Sequence, residues 1–425
     1  MVVEASPMTT TTVRWRWRAL VGAVVASLAI TSASASVLDT GFGGDGRVRT
    51  RFPGGAYANA VAVGPHGGLV VVGAAAGPDH TGVVAVARYT PDGVLVGAFG
   101  EGGRVETPVS PGGDEANAVA LTSEGKIVVA GTAGQDAFAV VRYLPDGRPD
   151  ASFGVDGIVT TDVTVDRMDT AHAVIALPGG RIVAVGTTGP PHPRWVLVRY
   201  RPGGALDPSF GDGGIVITSM GIWGVPYDAV LQPDGRVVVG GTDGAGMALA
   251  RYRRDGSLDT SFGQHGKVRG TWPLAWIRTL ALQPDGRILA AGDRDIFITA
   301  VARFTSRGVP DPTFGGGDGR LMFDVGASEE GAVEIAVLPD GRIVGAGGVG
   351  PHEANEPQPF RFVAFRLRPR GVLDRTFDGD GYAVTRFGEG ALAGGGTLGP
   401  AHRLTVVGTA GYPSSDGFAL VRYVV

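Results

Sequence analysis

The sequence predicts an all-β fold: a seven-bladed β-propeller of four-stranded antiparallel blades, its ring closed by the N-terminal strand. Three observations predict it. A phrase of the form L/P-D-x-x-F-G-x-x-G-x-V recurs seven times. Three further short strand-like phrases recur in fixed order between its copies. The order is cut so that one end of the array holds what the other lacks.

The recurring phrase is anchored on Phe42, Phe99, Phe153, Phe210, Phe262, Phe314 and Phe377, at intervals of 57, 54, 57, 52, 52 and 63 residues. After each anchor comes an alternating apolar run (strand A), such as Ala118-Val119-Ala120-Leu121. A Pro-Asp-Gly-like turn leads to strand B, as in Gly235-Arg236-Val237-Val238-Val239-Gly240. Strand C ends in Arg-Tyr or a variant, as in Phe138-Ala139-Val140-Val141-Arg142-Tyr143, and a second turn leads to the Phe-Gly phrase (strand D). Asp-Gly suits these tight connections because hairpin turns need positive φ, which Gly and Asp tolerate. Four such strands cannot bury both faces alone, so neighbouring copies must stack, and radial stacking gives a propeller. An open solenoid or β-helix fits less well, because its coils need parallel strands and a shorter, stricter period.

The array opens with a Phe-Gly phrase at Leu38 and closes after an Arg-Tyr strand at Arg422 and Tyr423. Residues 38–50 are therefore expected to supply the outer strand of the seventh blade, clasping the ring and removing two open edges. Through phrases such as LPDGRPDASFG and LQPDGRVVVGG the chain resembles the delta-60 repeat family over residues 38 to 423. That resemblance implies bacterial β-propeller repeats and no known activity. A Gly-His…Trp-Asp signature of WD repeats is absent.

Composition agrees with this reading. Of 425 residues 72 are Gly and only 18% are charged, which favours turns and short strands over exposed helices. The net charge of −4, with no basic tract beyond residue 35, argues against a nucleic-acid partner. Lys126 and Lys267 are the only lysines, and the Arg, Ala, Gly and Val bias suggests a GC-rich bacterial genome. With no Cys, disulfides, thiolate chemistry and Cys-ligated zinc are excluded.

Residues 1–35 read as an export signal: Arg14, Arg16 and Arg18, then the apolar run Ala19 to Ile30, then Ala33-Ser34-Ala35 as the cleavage site. Twelve helical residues reach about 18 Å, short of a bilayer core of about 30 Å. The expectation is a secreted, monomeric propeller over residues 36–425 with no membrane span.

The most regular polar feature is an Arg on strand C: Arg88, Arg142, Arg199, Arg251, Arg303, Arg366 and Arg422. In five repeats an Asp follows eight residues later: Asp150, Asp207, Asp259, Asp311 and Asp374. A feature repeated in every blade serves the blade, so these are read as register-fixing ion pairs rather than a ring of binding sites. The clasp gives Arg422 a partner in Asp39. Arg88 faces Val96 instead and must find another acceptor or reach solvent.

Signatures of chemistry are weak. The formal G-x-G-x-x-G at Gly41 to Gly46 lies between strands, not before a helix. Asp378-Gly379-Asp380-Gly381 lacks the rest of a calcium loop and reads as a sharp turn. There is no H-E-x-x-H and no G-x-S-x-G, and the seven His lie in scattered repeats. No catalytic residue, cofactor or metal site is assigned.

The departures from the repeat say more. A–B and C–D turns share one face and are uniform, whereas the D–A and B–C loops on the other face vary, and loop variation on a rigid scaffold is where function gathers. Trp223, Trp272 and Trp276 fall in successive D–A segments, where they either stack on a ligand or cap blade interfaces. The longest B–C insertion runs from Gly350 to Pro359. Counting six residues back from each A–B turn gives Asn59, Asn117, His172, Tyr227, Arg278, Val333 and Gly394. These should stand near the channel mouth, and their variety suggests a ligand pocket. The expected function is a non-catalytic binding or scaffold propeller whose partner is a cell-envelope glycan or extracellular protein. The rival is a lyase or hydrolase at the channel mouth using His172 and Arg278.

Overall fold

The computed structural model describes residues 37–425 apart from 78–80, 135, 165–167, 271–274, 295–297, 326–329, 351–359, 389 and 412–414. Residues 1–36, read above as an expected export signal and the start of the mature chain, Trp272 and most of the Gly350 to Pro359 insertion lie outside the described residues. Seven antiparallel sheets follow one another, each in the order A, B, C, D. Blade 1 holds Ala56–Val63, Leu69–Ala76, Gly82–Tyr89 and Arg104–Thr107; blades 2 to 6 repeat that pattern, with the two-residue strand Val372–Leu373 added beside strand C in blade 6.

Blade 7 takes strands A to C from Ala391–Gly399, Arg403–Ala410 and Gly417–Val424, and its fourth strand is Arg47–Arg51. Arg47 pairs with Val421 and Arg51 with Gly417, and an isolated bridge joins Leu38 to Tyr423. The expected clasp is present.

Strands B and C are buried on both faces, as in Trp195–Tyr200, because each sheet is covered by a blade on either side. Among the described residues the core divides into seven apolar clusters, one per seam between adjacent blades. Polar pairs cross the same seams. Tyr143 donates to Thr107 on strand D of the preceding blade at 2.7 Å, and Tyr89 donates to Thr50 in the same way. Where the hydroxyl is lost its partner is lost too: Leu367 meets Phe323 in one core cluster. A buried hydroxyl left alone would cost about 1–3 kcal/mol, so the pair is kept or dropped as a unit.

The strand-C arginines are structural. In blades 2 to 6 the Nε donates to the Asp eight residues on, Arg142 to Asp150 at 2.7 Å and Arg366 to Asp374 at 2.9 Å. Across the clasp Arg422 donates to Asp39 at 2.8 Å. A second nitrogen reaches a Ser or Thr, as Arg199 does Ser209 at 2.8 Å. The guanidinium also lies over the anchor ring, 4.5 Å from the Phe210 centroid in the case of Arg199. Burial alone would raise these carboxyls. Hydrogen bonds from Ser or Thr and the adjacent guanidinium outweigh it, holding Asp207, Asp259, Asp311 and Asp374 below the ordinary range.

The third nitrogen tells the blades apart. Arg142 Nη1 donates to the Pro202 carbonyl in the C–D turn of the next blade at 2.7 Å, and Arg303 to Pro369 at 2.6 Å. Arg88 makes the same bond to Pro145, which is the acceptor its missing Asp left open. Only Arg366 lacks this bond among the described residues, since blade 7 has no C–D turn to offer. In the other six blades a second cation meets the Asp at the start of strand B, such as Lys126 on Asp150 at 2.9 Å or Arg403 on Asp39 at 2.8 Å. Blade 1 has Gly68 at that position. It has lost the carboxylate and one cation together, so the local charge balance is unchanged.

Candidate functional site

Every strand A carries a β-bulge at the same place. Pairing skips from Ala58 to Ala60, Ala116 to Ala118, Ala171 to Ala173, Pro226 to Asp228, Ile277 to Thr279, Ala332 to Glu334 and Ala393 to Gly395. The skipped residues are Asn59, Asn117, His172, Tyr227, Arg278, Val333 and Gly394. A bulge leaves one residue outside the ladder and re-aims its side chain. Here it turns six side chains of five kinds and one bare backbone out of the blade stack. All seven line a single cavity of about 600 Å³.

What permits the bulge is on strand B. The residue opposite is Gly73, Gly131, Gly186, Gly241, Gly292, Gly347 or Gly408. A Cβ on Gly186 would lie 1.9 Å from the Thr170 carbonyl oxygen, and one on Gly292 would lie 1.8 Å from that of Trp276. A glycine in the middle of every strand B was the sequence signal for this device.

The cavity has two unlike arcs. Blades 1 to 5 supply Asn59, Asn117, His172, Tyr227, Arg278 and Asp293. Blades 6 and 7 supply small or apolar groups, among them Val333, Phe360, Leu392, Ala393 and Gly394. The two asparagines are partly committed to structure. Asn59 donates to the Ala116 carbonyl at 3.0 Å and to Glu115 at 2.7 Å, and Asn117 donates to the Ala171 carbonyl at 3.0 Å. Each ties its inner strand to the next.

The other three polar groups are less committed. His172, Tyr227 and Trp276 form a run of rings with centroids 5.9 Å and 6.4 Å apart. Arg278 lies over both Tyr227 and Trp276, at 5.1 Å and 5.2 Å. Its Nε donates to Asp293 at 2.8 Å, and its guanidinium makes no other hydrogen bond among the described residues. His172 Nε2 is buried without a partner, and burial pushes its pKa down to about 4, so the ring is neutral at physiological pH. The Tyr227 hydroxyl also has no hydrogen-bond partner among the described residues.

Trp223 and Trp276 do not gather on the cavity together. Trp276 is 36% exposed, with Arg278 and Tyr227 against its ring, so it caps the arc rather than offering a bare stacking face. Trp223 is 56% exposed, does not line the cavity, and packs over the turn at Gly244 of its own blade. Sequence reasoning placed it with Trp276 because it sees order along the chain and not the direction in which a loop leaves its blade. Asp293 and Phe360 were missed for a related reason: they come from strand B and the start of strand C, and reach the cavity only through blade packing.

One residue beyond the bulge, blades 1, 2, 3 and 7 carry Ala60, Ala118, Ala173 and Gly395, but blades 4 and 6 carry Asp228 and Glu334. Asp228 accepts the backbone N–H of Leu280 in the next blade at 2.7 Å. Burial, partly offset by that bond, pushes it up to about 6. Burial and the charge of Asp228 raise Glu334 well above the carboxylate range. Between about pH 4 and 6 the folded chain therefore keeps a proton on Asp228 that the unfolded chain has released, and stability falls as pH rises through that window. His172 has the opposite slope between its folded and unfolded values, so the comparison must be with a variant. The Asn amide can accept only one of the two backbone N–H groups, of Ala229 and Leu280, that the carboxylate accepts, so the test is the pH dependence: Asp228→Asn is expected to gain about 2 kcal/mol relative to the parent between pH 4.5 and pH 7. Denaturant midpoints at the two values check this, and an equal change at both would contradict it.

No curated protein sequence matches the chain. By structure it is similar to a glucose dehydrogenase (11% identity, 73% of this chain and 96% of that one, TM-score 0.44). It is also similar to a gluconolactonase from Xanthomonas campestris (12%, 89% and 100%, TM-score 0.39) and to puromycin hydrolase (14%, 85% and 51%, TM-score 0.41). Likeness at this level says nothing about activity. A family described as "Domain of unknown function (DUF5122) beta-propeller" matches residues 122–153, 177–210, 232–262 and 283–314. Those segments run from the A–B turn through strands B and C to the anchor Phe of blades 2 to 5, so the family model matches part of four of the seven blades.

Proposed function

We propose that the chain is an exported bacterial propeller of the delta-60 kind that binds a small polar ligand in the axial cavity, without catalysing a reaction on it. The observation that carries this reading is the set of seven bulges. The scaffold repeats one backbone device in every blade yet fills it with seven side-chain choices, of which only the Asn of blades 1 and 2 recurs. A position kept for packing alone would be filled alike. An envelope glycan or an extracellular solute suits both the export segment and a cavity with one polar and one apolar arc.

An enzyme of the lyase or hydrolase type is the second reading, favoured by a neutral His172 beside Tyr227 and Arg278. Binding is preferred because no carboxylate hydrogen-bonds His172 among the described residues, so nothing there holds the ring as a base.

The test is a thermal-shift screen of the chain against glycans, small acids and divalent ions, repeated on Val333→Trp. The added indole fills the cavity from its apolar side. A ligand of the cavity should raise the melting temperature of the parent and not of the variant. The variant's own melting temperature should stay within about 2 °C, as expected for a change of a few tenths of a kcal/mol. Hits that survive in Val333→Trp would place binding elsewhere.

A further inference from the structure

The geometry points to a hydroxylated monocarboxylate, a uronate or sugar acid, as the ligand, with its acid group on Arg278; this rests on the cavity being a binding site. The chain supplies its own comparison. Six of the strand-C arginines place Nε on an Asp and also spend a second nitrogen on a Ser or Thr, a third on a neighbouring carbonyl, or both. Arg278 repeats only the first contact, to Asp293 at 2.8 Å, and spends neither Nη among the described residues. A guanidinium gripped at Nε presents its remaining planar edge as a fork, and a carboxylate matches that fork with two parallel bonds.

The charge count favours a monoanion. Among the described residues Arg278 is the only cation on the lining, and with Nε held by Asp293 it offers one fork for one carboxylate, so the second charge of a phosphate dianion would find no cation. The remaining free groups ask for hydroxyls. Among the described residues His172 Nε2 and the Tyr227 hydroxyl have no partner, and the His172 ring and the Arg278 guanidinium stand 5.9 Å and 5.1 Å from the same Tyr227 ring. One ligand of monosaccharide size can therefore meet both. The C–H face of a sugar ring would lie against Val333, Leu392 and Ala393 on the other arc. The volume of about 600 Å³ is within the range of small-ligand sites.

Titration calorimetry with D-glucuronate, its methyl ester, D-glucose and a glucuronate-terminated disaccharide tests the assignment. Glucuronate should bind at least tenfold more tightly than the ester or glucose. Arg278→Gln should abolish that preference, with Arg278→Lys intermediate because it keeps the charge and loses the fork. Circular dichroism melts of both variants exclude unfolding as the cause. Tighter binding of the disaccharide assigns the site to a glycan end, and tighter binding of free glucuronate assigns it to a solute. Equal affinity for glucuronate, ester and glucose would overturn the carboxylate assignment while leaving a sugar-binding cavity. So would glucuronate binding unaffected by Arg278→Gln, or no binding of these probes alongside another hit lost in Val333→Trp. If no compound binds at all, the binding reading fails with it.

Discussion

Deleting residues 36–51 is expected to unfold the propeller at 25 °C or lower its melting temperature by at least about 15 °C. The segment carries the whole of the fourth strand of blade 7, the fully buried Phe42, and Asp39. Losing a buried Phe costs about 3–5 kcal/mol, and stranding a buried Arg costs about as much again. Arg422 would be stranded beside Arg403 with no carboxylate. Together these rival the total stability of a typical domain, about 5–15 kcal/mol. A calorimetric scan of the truncated chain, with and without the deleted segment added as a peptide, checks the prediction. The peptide should restore the transition in a concentration-dependent way. A truncated chain that melts with the parent would refute the clasp.

Gly186→Val is expected to cost about 3 kcal/mol or more, a large effect for a residue that touches no ligand. Its Cβ would lie 1.9 Å from the Thr170 carbonyl oxygen and 2.7 Å from both the Ala171 Cα and the Phe138 ring. Two of these atoms belong to the bulged strand and one to the neighbouring blade, so no side-chain rotation relieves the clash. Either blade 3 parts at the bulge or the bulge flattens, and in both cases His172 leaves the cavity wall. Gly97→Ala serves as the control, because nothing lies within 4 Å of its Cβ position. Equilibrium unfolding of the two variants should separate them clearly. Similar midpoints would mean that the opposed glycines are not what the bulges require.

Much of this architecture could be read before any coordinates. The period, the order of strands within a blade and the clasp between Asp39 and Arg422 all follow from phrases that repeat, and repetition averages away the ambiguity of any one short strand. The seven cavity positions were found by counting back from the A–B turns, which works because those turns are uniform. Less was legible where partners come from different strands or different blades. Asp293 reaches Arg278 from the next strand over, a relation no spacing announces. Asp228 and Glu334 were visible as carboxylates at a position that is Ala or Gly in four other blades, but their burial depends on how closely neighbouring inner strands approach. At the last seam that approach is extreme: a Cβ on Gly394 would lie 2.3 Å from the Ala58 carbonyl oxygen.

The missing partner of Arg366 has a wider meaning. In six blades strand C runs through a turn into strand D; in the seventh, the N–H of Val424 donates to the carbonyl of Val37 at 2.8 Å, and nothing covalent joins them. The polypeptide is in effect a closed loop severed once, at the seventh copy of an otherwise constant hairpin, and Arg366 points at the severed place. Such a loop has no intrinsic first blade. Numbering one of them as the beginning describes the order of synthesis, while the folded backbone carries a cyclic order interrupted only at the cut.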